Sequence, residues 1–434
     1  AARDGRPRVA LVLSGGGALG LAHVGVVQVL EELRVPVDCV AGTSMGAIVG
    51  GLYAAGASPA ELERYVHVLP WRELIQDQPD RRHIPYRRKV DDLTYLTRWE
   101  IGVSRRGFQL PSGLIAGHRL GATLQRLPLR AVGVEDFDRL PLPFRATATD
   151  AGTGEAVSLA GGDLARALRA SMAVPALFAP VEIDGRLLID GGVAENLPVA
   201  AARAMGAEVV IAVDLAEPLG DRERPASLPA ILQRTAAFIS RREVERALAD
   251  ADIVIRPQLG DWGLLDFDVG PQLVQRGEAA ARDQTEALSR LAVDESTWSR
   301  HLARQRRTEP TIPIRNLIVE PGPGLPQTVV RRAVQSRPGR ALDPLLLESD
   351  LERLWELDEF DTVDFGLAPT GDGAWDLTIT GRPKALGPGV LRTGLSLASD
   401  LEGSSRFSLL GALTVGFLGW GFHRQQVQTD AHRG

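Results

Sequence analysis

The sequence predicts an α/β protein, and two observations lead to that prediction. Short aliphatic runs alternate with helical patterns over roughly the first 300 residues, and the opening follows the order strand, helix, strand, helix. Such alternation is typical of a largely parallel sheet covered by helices. Near residue 306 the composition changes, so we expect smaller domains beyond that point.

The opening strand–helix units are the clearest part of the pattern. Residues 8–13 form a continuous aliphatic run and are predicted to be a buried strand. Residues 18–34 place apolar side chains at helical spacing. A second buried strand is expected in 35–44, followed by a helix of small residues in 45–56. Two successive strand–turn–helix units therefore begin the sheet.

The middle of the chain continues the alternation after one irregular segment. Residues 71–110 lack a clear period and are predicted to be irregular, with a basic cluster in 81–89. A helix is expected in "DLARALRASMAVP". Strands are expected in "FRATATD", "EAVSLA", "GRLLIDGG", "AEVVIAVDL" and "ADIVIRP".

The last third of the chain has a different character. A proline-rich linker starts near 306, and residues 326–356 predict two short helices, followed by a hairpin around 370–373. The order strand, helix, helix, strand, strand predicts a small α+β domain. From about 389 the sequence is glycine-rich, alternates polar and apolar residues, and has aromatic residues near the segment ends, as strands of outer-membrane barrels do.

Composition excludes several functional classes. The 434 residues carry a formal net charge of −6, which argues against a general nucleic-acid binder. The single cysteine, Cys39, rules out an internal disulfide or a cysteine zinc site. No metal-spaced His/Cys cluster is present, so neither a metal nor an organic cofactor is expected. No apolar run reaches about 18 residues. The first residue is Ala1, as expected after removal of a signal peptide.

The glycine-rich turn after the first strand has two possible interpretations. Gly15, Gly17 and Gly20 spell G-x-G-x-x-G, the pattern of a dinucleotide-binding turn. Such a turn needs an acidic residue at the end of the second strand. That strand ends at Thr43 and Ser44, while Asp38 lies before or inside it. A dinucleotide-binding protein is therefore an alternative that lacks one required residue.

The second turn contains the pattern of a nucleophile elbow. Gly42, Ser44 and Gly46 form G-x-S-x-G between a predicted strand and a predicted helix, the context that exposes a serine hydroxyl. The helix N-terminus favours developing negative charge there. Together the two turns offer a nucleophile and a row of N–H donors, which are the requirements of acyl transfer.

A carboxylate is the better candidate for the base that activates Ser44. Only His301 follows late in the same domain, in a polar helical stretch, so a Ser-His-Asp triad has little support. Asp190 ends a predicted strand and precedes Gly191 and Gly192. A carboxylate held there can accept the serine proton if its surroundings tune its pKa.

Three segments together resemble the signature motifs of patatin-like phospholipases, which are lipid acyl hydrolases with a Ser–Asp dyad. They are Ser14–Gly20, Gly42–Gly46 and Asp190–Gly192, and residues 148–155 and 169–180 also resemble the family. The resemblance implies a three-layer α/β/α lipase domain in residues 1–305. It also implies that Ser44 is the nucleophile and Asp190 the general base.

The same resemblance implies an oxyanion hole lined by the N–H groups of Gly15, Gly16 and Gly17, to which the elbow adds Met45. Leu19 departs from the family, which often has a basic residue there. Further glycines that belong to the motifs are Gly20, Gly42, Gly46, Gly191 and Gly192. The implied partners are a phospholipid or other lipid ester and a membrane surface.

The C-terminal part resembles bacterial patatin-like autotransporters of the type Vd kind. Residues 306–385 resemble a POTRA module, and residues 386–434 resemble the start of an outer-membrane barrel. The tail is too short for a closed barrel of about eight strands, so an incomplete barrel is expected. The resemblance implies the cell envelope of a Gram-negative bacterium, either the outer membrane or the secreted fraction. Outer-membrane assembly machinery would be a further partner.

The predicted function is a lipid acyl hydrolase, meaning a phospholipase A or an esterase. A non-catalytic membrane-assembly or delivery module is the alternative from another class, and a general esterase is the alternative within the enzyme class. Structural roles are expected for Asp150 as a turn residue, Asn196 as a loop or cap residue, and His23 as an interior histidine. Trp71 and Trp99 fit either a lipid-facing mouth or the core.

Overall fold

The computed structural model describes residues 5–77, 100–104, 107–109, 117–215, 241–320, 327–357, 360–383, 389–399, 405–415 and 425–432. The chain divides into two compact units. One consists of residues 1–75 and 123–310, and the other of residues 76–122 and 311–434. Within the described ranges, no helix is both long enough and apolar enough to span a bilayer.

Strands and helices are numbered along the chain within the described ranges. The strands are β1 Val9–Leu13, β2 Cys39–Thr43, β3 Glu100–Ser104, β4 Gly107–Gln109, β5 Phe144–Asp150, β6 Ala156–Leu159, β7 Val181–Ile183, β8 Arg186–Asp190, β9 Val209–Val213, β10 Ile253–Ile255, β11 Ile314–Glu320, β12 Phe360–Pro369, β13 Trp375–Pro383, β14 Gly389–Ser399, β15 Ser405–Val415 and β16 Gln425–His432. The helices are α1 Ala22–Glu32, α2 Met45–Ala54, α3 Pro59–Val68, α4 Trp71–Gln76, α5 His118–Arg126, α6 Leu164–Ser171, α7 Val199–Ala204, α8 241–249, α9 Gly270–Asp283, α10 Thr285–Ser289, α11 Glu295–Gln305, α12 Gln327–Ala333 and α13 Pro344–Trp355.

The first unit is built on a mixed sheet in the order β10-β9-β1-β2-β5-β8-β7, with β6 also paired to β5. Strands β10, β9, β1, β2 and β5 run parallel to one another. Strands β6, β7 and β8 form antiparallel pairs. The predicted α/β class is correct, and the antiparallel strands make the sheet mixed.

Helices cover both faces of this sheet because β1 and β2 are apolar on both sides. Ala10 and Cys39 face a cluster that includes Val199 of α7 and Val244 of α8. On the opposite face, Gly50 of α2 lies close to side chains of β1 and β2. Both strands are fully buried, which is typical of central strands in a layered α/β protein.

Helices α1 and α9 pack closely through two glycines, one on each helix. A Cβ at Gly25 of α1 would lie 2.0 Å from the Val274 carbonyl oxygen. A Cβ at Gly277 of α9 would lie 1.8 Å from the Ala22 carbonyl oxygen. Because no side chain fits at either position, the two backbones come into direct contact. This contact holds α9 against α1, the helix that follows the glycine-rich turn of residues 15–20.

The second unit contains two sheets. The three-stranded sheet has the order β11-β13-β12, and with α12 and α13 it shows the predicted order strand, helix, helix, strand, strand. The five-stranded sheet has the order β16-β15-β14-β3-β4. The assignment of residues 306–385 to a POTRA module and of 386–434 to a barrel start stays a prediction, as do the boundaries drawn with them.

The prediction that residues 71–110 are irregular was wrong in part. Residues 71–76 form α4, and 100–104 and 107–109 form β3 and β4. Strand β3 pairs with residues 389–392 of β14, almost 300 positions further along the chain. Such a short strand depends on a distant partner and carries little local signal.

Gly277→Ala should lower the free energy of unfolding of the first unit by about 2 kcal/mol, because the added methyl group forces α1 and α9 apart. Chemical denaturation followed by circular dichroism measures the change. Ala279→Gly on the exposed face of the same helix is the control, and it should cost about 1 kcal/mol through helix propensity alone. Wild-type stability of Gly277→Ala would contradict the close contact.

Candidate active site

Ser44 lies in a strained turn between β2 and α2. Its φ of 53° and ψ of −122° fall in a region that residues other than glycine rarely adopt. The turn closes because its flanking residues have no Cβ. A Cβ at Gly46 would lie 2.3 Å from the Leu13 carbonyl oxygen, and one at Gly42 would lie 2.5 Å from the Gly46 carbonyl oxygen. This is the geometry of a nucleophile elbow.

The Ser44 hydroxyl donates a 2.7 Å hydrogen bond to Oδ2 of Asp190. Sheet register explains how residues 146 positions apart meet. Thr43 pairs with Thr147 of β5, and Ala148, the next residue of β5, pairs with Asp190 of β8. The last residue of β8 therefore lies one strand away from Ser44 and at the same level of the sheet.

The surroundings of Asp190 make its carboxylate a usable base. Burial raises the pKa of Asp190 to about 6, against the opposing effects of its hydrogen bonds from Ser44 and from the Gly192 N–H. The Gly192 N–H donates to Oδ1 at 2.8 Å, leaving Oδ2 for the serine. The backbone is also fixed, because the Asp190 N–H donates to the Ala173 carbonyl at 2.9 Å. A carboxylate so held accepts the serine proton without an intervening histidine.

The glycine turn lies directly beside the nucleophile. A Cβ at Gly15 would lie 3.2 Å from the Ser44 Cβ. The Gly15 N–H already donates to the Asn196 carbonyl at 3.2 Å, so the predicted role of Gly15 as an oxyanion donor needs correction. Among the described residues, the N–H groups of Gly16 and Gly17 donate no hydrogen bond. Their roles stay predictions.

Met45 is the first residue of α2, where the N–H has no intrahelical acceptor and the helix dipole favours an anion. Gly20 brings the glycine turn against this residue, since a Cβ there would lie 2.5 Å from the Met45 Cβ. Gly191 allows an equally close approach, 2.2 Å from the Thr147 carbonyl oxygen. The role of Met45 as a further oxyanion donor stays a prediction.

Sequence analysis missed Ser171 and gave Asn196 only the role of a loop or cap residue. The Ser171 hydroxyl accepts the Ser44 N–H at 2.9 Å and donates to the Thr147 carbonyl at 2.5 Å, which anchors the nucleophile backbone. The Asn196 side chain donates to the Gly15 carbonyl at 3.4 Å. Its Oδ1 would lie 3.0 Å from a Cβ at Gly192, so Asn196 lies between the glycine turn and the Asp190 turn.

The two histidines of interest do not reach the serine hydroxyl. Nε2 of His23 donates to the Ser14 carbonyl at 2.8 Å, and burial lowers the pKa of this histidine to about 4. It is therefore a neutral interior residue under the glycine turn. Burial also lowers the pKa of His301 to about 4, and the nearby charge of Asp38 opposes this shift. Asp38 precedes β2, whereas Ser44 follows it, so His301 is near the end of the strand that is remote from Ser44.

The remaining candidate residues have structural surroundings. Oδ1 of Asp150 accepts the Gly152 N–H at 2.8 Å, as expected of a turn residue. Trp71 is buried and stacks on Phe267 with ring centroids 5.3 Å apart. Leu19 is buried. Trp99 and the basic cluster 81–89 lie outside the described residues. Within the ranges that the structure describes, no group of three His, Cys, Asp or Glu residues could hold a metal ion.

Ser44→Gly should be more stable than Ser44→Ala by about 1 kcal/mol. Both variants lose the hydroxyl, but only glycine relieves the strain of a positive φ. Thermal and chemical denaturation of the two variants side by side give the difference. Equal stabilities would contradict the strained turn.

The reactivity of Ser44 should fall as the pH drops through about 6, because a protonated Asp190 no longer accepts the serine proton. The rate of fluorophosphonate labelling between pH 5 and 8 measures this dependence. A rate that stays constant down to pH 4.5 would show that Asp190 is not the base.

The segment that contains Ser44 and Asp190 is similar to known proteins. The family model for patatin-like phospholipases matches residues 11–203, which include the glycine turn, Ser44 and Asp190. An uncharacterized NTE family protein of Mycobacterium tuberculosis is 35% identical over 209 residues, covering 48% of this chain and 49% of that protein. Lysophospholipase nte1 of Neurospora crassa is 30% identical over 284 residues, covering 60% of this chain and 17% of the fungal protein. The chain thus spans about half the length of the mycobacterial relative. Residues 11–203 are therefore similar to patatin-like phospholipases, and this segment contains the hydrogen-bonded pair Ser44 and Asp190.

Proposed function

We propose that this protein hydrolyses carboxylic esters of lipids, as a phospholipase A or lysophospholipase, with Ser44 as nucleophile and Asp190 as general base. The observation that carries the proposal is the 2.7 Å hydrogen bond from the Ser44 hydroxyl to the buried Asp190 carboxylate, at the N-terminus of α2. A serine with a proton acceptor and nearby N–H donors has what ester hydrolysis requires.

The reaction follows from the positions of these groups. Ser44 Oγ attacks the ester carbonyl carbon while Asp190 takes the hydroxyl proton, and the carbonyl oxygen becomes an oxyanion stabilised by the N–H groups of Gly16, Gly17 and Met45. Collapse of this intermediate breaks the ester bond, and Asp190 returns the proton to the departing alcohol. Water then attacks the acyl-serine with Asp190 again as base, which releases the fatty acid and restores Ser44.

Similarity supports a lipid as the source of the ester. The matching family is described as patatin-like phospholipases, and the relatives from Neurospora crassa and Emericella nidulans are named lysophospholipases. A phospholipid or other lipid ester presented at a membrane surface is therefore the proposed substrate.

The C-terminal assignments and the cell-envelope location stay proposals. The order of β11, α12, α13, β12 and β13 is consistent with a POTRA-like domain, and the consecutive antiparallel pairing of β14, β15 and β16 is consistent with a strand meander. Fractionation of the producing bacterium, with an antibody against this chain, distinguishes the envelope from the cytoplasm.

Ser44→Ala should lower the rate of ester hydrolysis by at least about 10³-fold, since no other group can form the acyl intermediate. Asp190→Asn should be nearly as severe. Fluorophosphonate labelling and release of fatty acid from lysophospholipid, phospholipid vesicles and a short water-soluble ester measure the effects.

Ser158→Ala is the control, because Ser158 is exposed on β6 and belongs to the same unit. Its rates should equal those of the wild type. Activity of pure Ser44→Ala would overturn the serine mechanism. A wild type that cleaves only the short ester would favour a general esterase, and a folded wild type without labelling would favour the delivery-module or dinucleotide-binding alternative.

A further inference from the structure

A carboxylate outside the family match lies behind the glycine turn. Glu243 belongs to α8, and its Oε2 accepts the Asn196 N–H at 3.2 Å. It also accepts a hydrogen bond from the backbone N–H of Leu197. The matched range ends at residue 203, so nothing in the family assignment gives this residue a role.

Asn196 connects Glu243 to the glycine turn through hydrogen bonds. Its carbonyl accepts the Gly15 N–H at 3.2 Å, and its Nδ2 donates to the Gly15 carbonyl at 3.4 Å. Both polar backbone groups of Gly15 are therefore held by one residue. Gly15 lies beside Ser44 and directly precedes Gly16 and Gly17, so displacement of Asn196 would shift the proposed oxyanion donors.

Close packing leaves this arrangement little freedom. A Cβ at Gly15 would lie 2.6 Å from Oδ1 of Asn196. On the other side of the contact, Val244 follows Glu243 directly and is buried in the core cluster against β1, β2 and β9. Helix α8 is therefore fixed to the sheet, and Glu243 connects this fixed helix to the glycine turn through Asn196.

We propose that Glu243 is a positioning residue for the oxyanion site, which it acts on through Asn196 and Gly15. This inference rests on the proposed hydrolase function only for its catalytic consequence. The hydrogen bonds themselves hold the turn whatever reaction takes place there.

The protonation of Glu243 should modulate this effect near neutral pH. Burial raises the pKa of Glu243 to about 7, assisted by the negative charge of Glu195 on the facing turn and opposed by the N–H donors of Asn196 and Leu197. Arg241 on its own helix pairs with Glu245 at 3.0 Å. An ionised carboxylate accepts hydrogen bonds about twice as strongly as a neutral group, so the turn is held more firmly above pH 7 than below it.

The test compares Glu243→Gln with the wild type and with Glu245→Gln, an exposed carboxylate two residues away on the same helix. Amide hydrogen exchange of residues 14–20 reports on the turn independently of catalysis. Fluorophosphonate labelling of Ser44 reports on reactivity. We expect Glu243→Gln to exchange about fivefold faster in this segment and to label about fivefold more slowly at pH 8. Glu245→Gln should match the wild type in both.

The pH dependence of Ser44 labelling distinguishes the proposed positioning role of Glu243 from a purely structural role. Wild-type labelling should show a step of about fivefold near pH 7 in addition to the fall near pH 6, and Glu243→Gln should keep only the fall near pH 6. In an Asn196→Ala background, Glu243→Gln should still loosen the turn, because alanine keeps the backbone N–H that donates to Glu243 and the carbonyl that accepts the Gly15 N–H. If Glu243→Gln does not fold, protection of residues 14–20 in the wild type must still decrease between pH 8 and pH 6.

Each result decides the proposal. Protection of residues 14–20, meaning exchange relative to the intrinsic rate at each pH, overturns it if it is the same for Glu243→Gln and Glu245→Gln, or if it does not change between pH 8 and pH 6 in the wild type. If the wild type is not labelled at Ser44 but Glu243→Gln still loosens the turn, the hydrolase function fails while the positioning role stands.

Discussion

The hydrogen bond between Ser44 and Asp190 depends on how closely three backbone turns can approach one another. Gly46 places α2 against the carbonyl end of β1, and Gly191 places the turn after β8 against β5. A Cβ at Gly46 would lie 2.3 Å from the Leu13 carbonyl oxygen, and one at Gly191 would lie 2.2 Å from that of Thr147, so the backbones would have to move apart. The glycines of the motifs are therefore conditions for assembling the site, while the chemistry belongs to the two side chains that they bring together.

The site concentrates several unfavourable features that the surrounding sheet must stabilise. Ser44 adopts a strained backbone, and Asp190 is a carboxylate buried where ionisation is disfavoured. Next to them lie β1 and β2, whose residues are fully buried between two layers of helices. A rigid apolar sheet tolerates such local strain because its own packing is far more stabilising than the strain is costly. Ser44 and Asp190 are both buried, and the burial of Asp190 is what raises the pKa of its carboxyl group.

Much of the site could be predicted because its signals are local. Ser44 stands between two glycines after an aliphatic strand, and Asp190 stands before two glycines at another strand end. The contacts of Gly15 could not be predicted, because its partner Asn196 is 181 residues away and is placed by tertiary packing. Strand β3 was missed for the same reason, since its pairing partner is β14. Sequence patterns located the turns, while the hydrogen-bond partner of each N–H group depends on tertiary packing.

Strand β5 lies between β2 and β8, and this order has a consequence for the sequence of events during chain synthesis. Ser44 follows β2, Asp190 ends β8, and β5 separates these strands in the sheet, while β1 needs β9 on its other side. Ser44 is thus synthesised before Asp190, its hydrogen-bond partner 146 residues further along, and before β9, which ends at Val213. A nascent or truncated chain that ends before β8 has a serine without a proton acceptor. The hydrogen bond on which the proposed hydrolysis depends therefore forms only after most strands of the sheet have been synthesised.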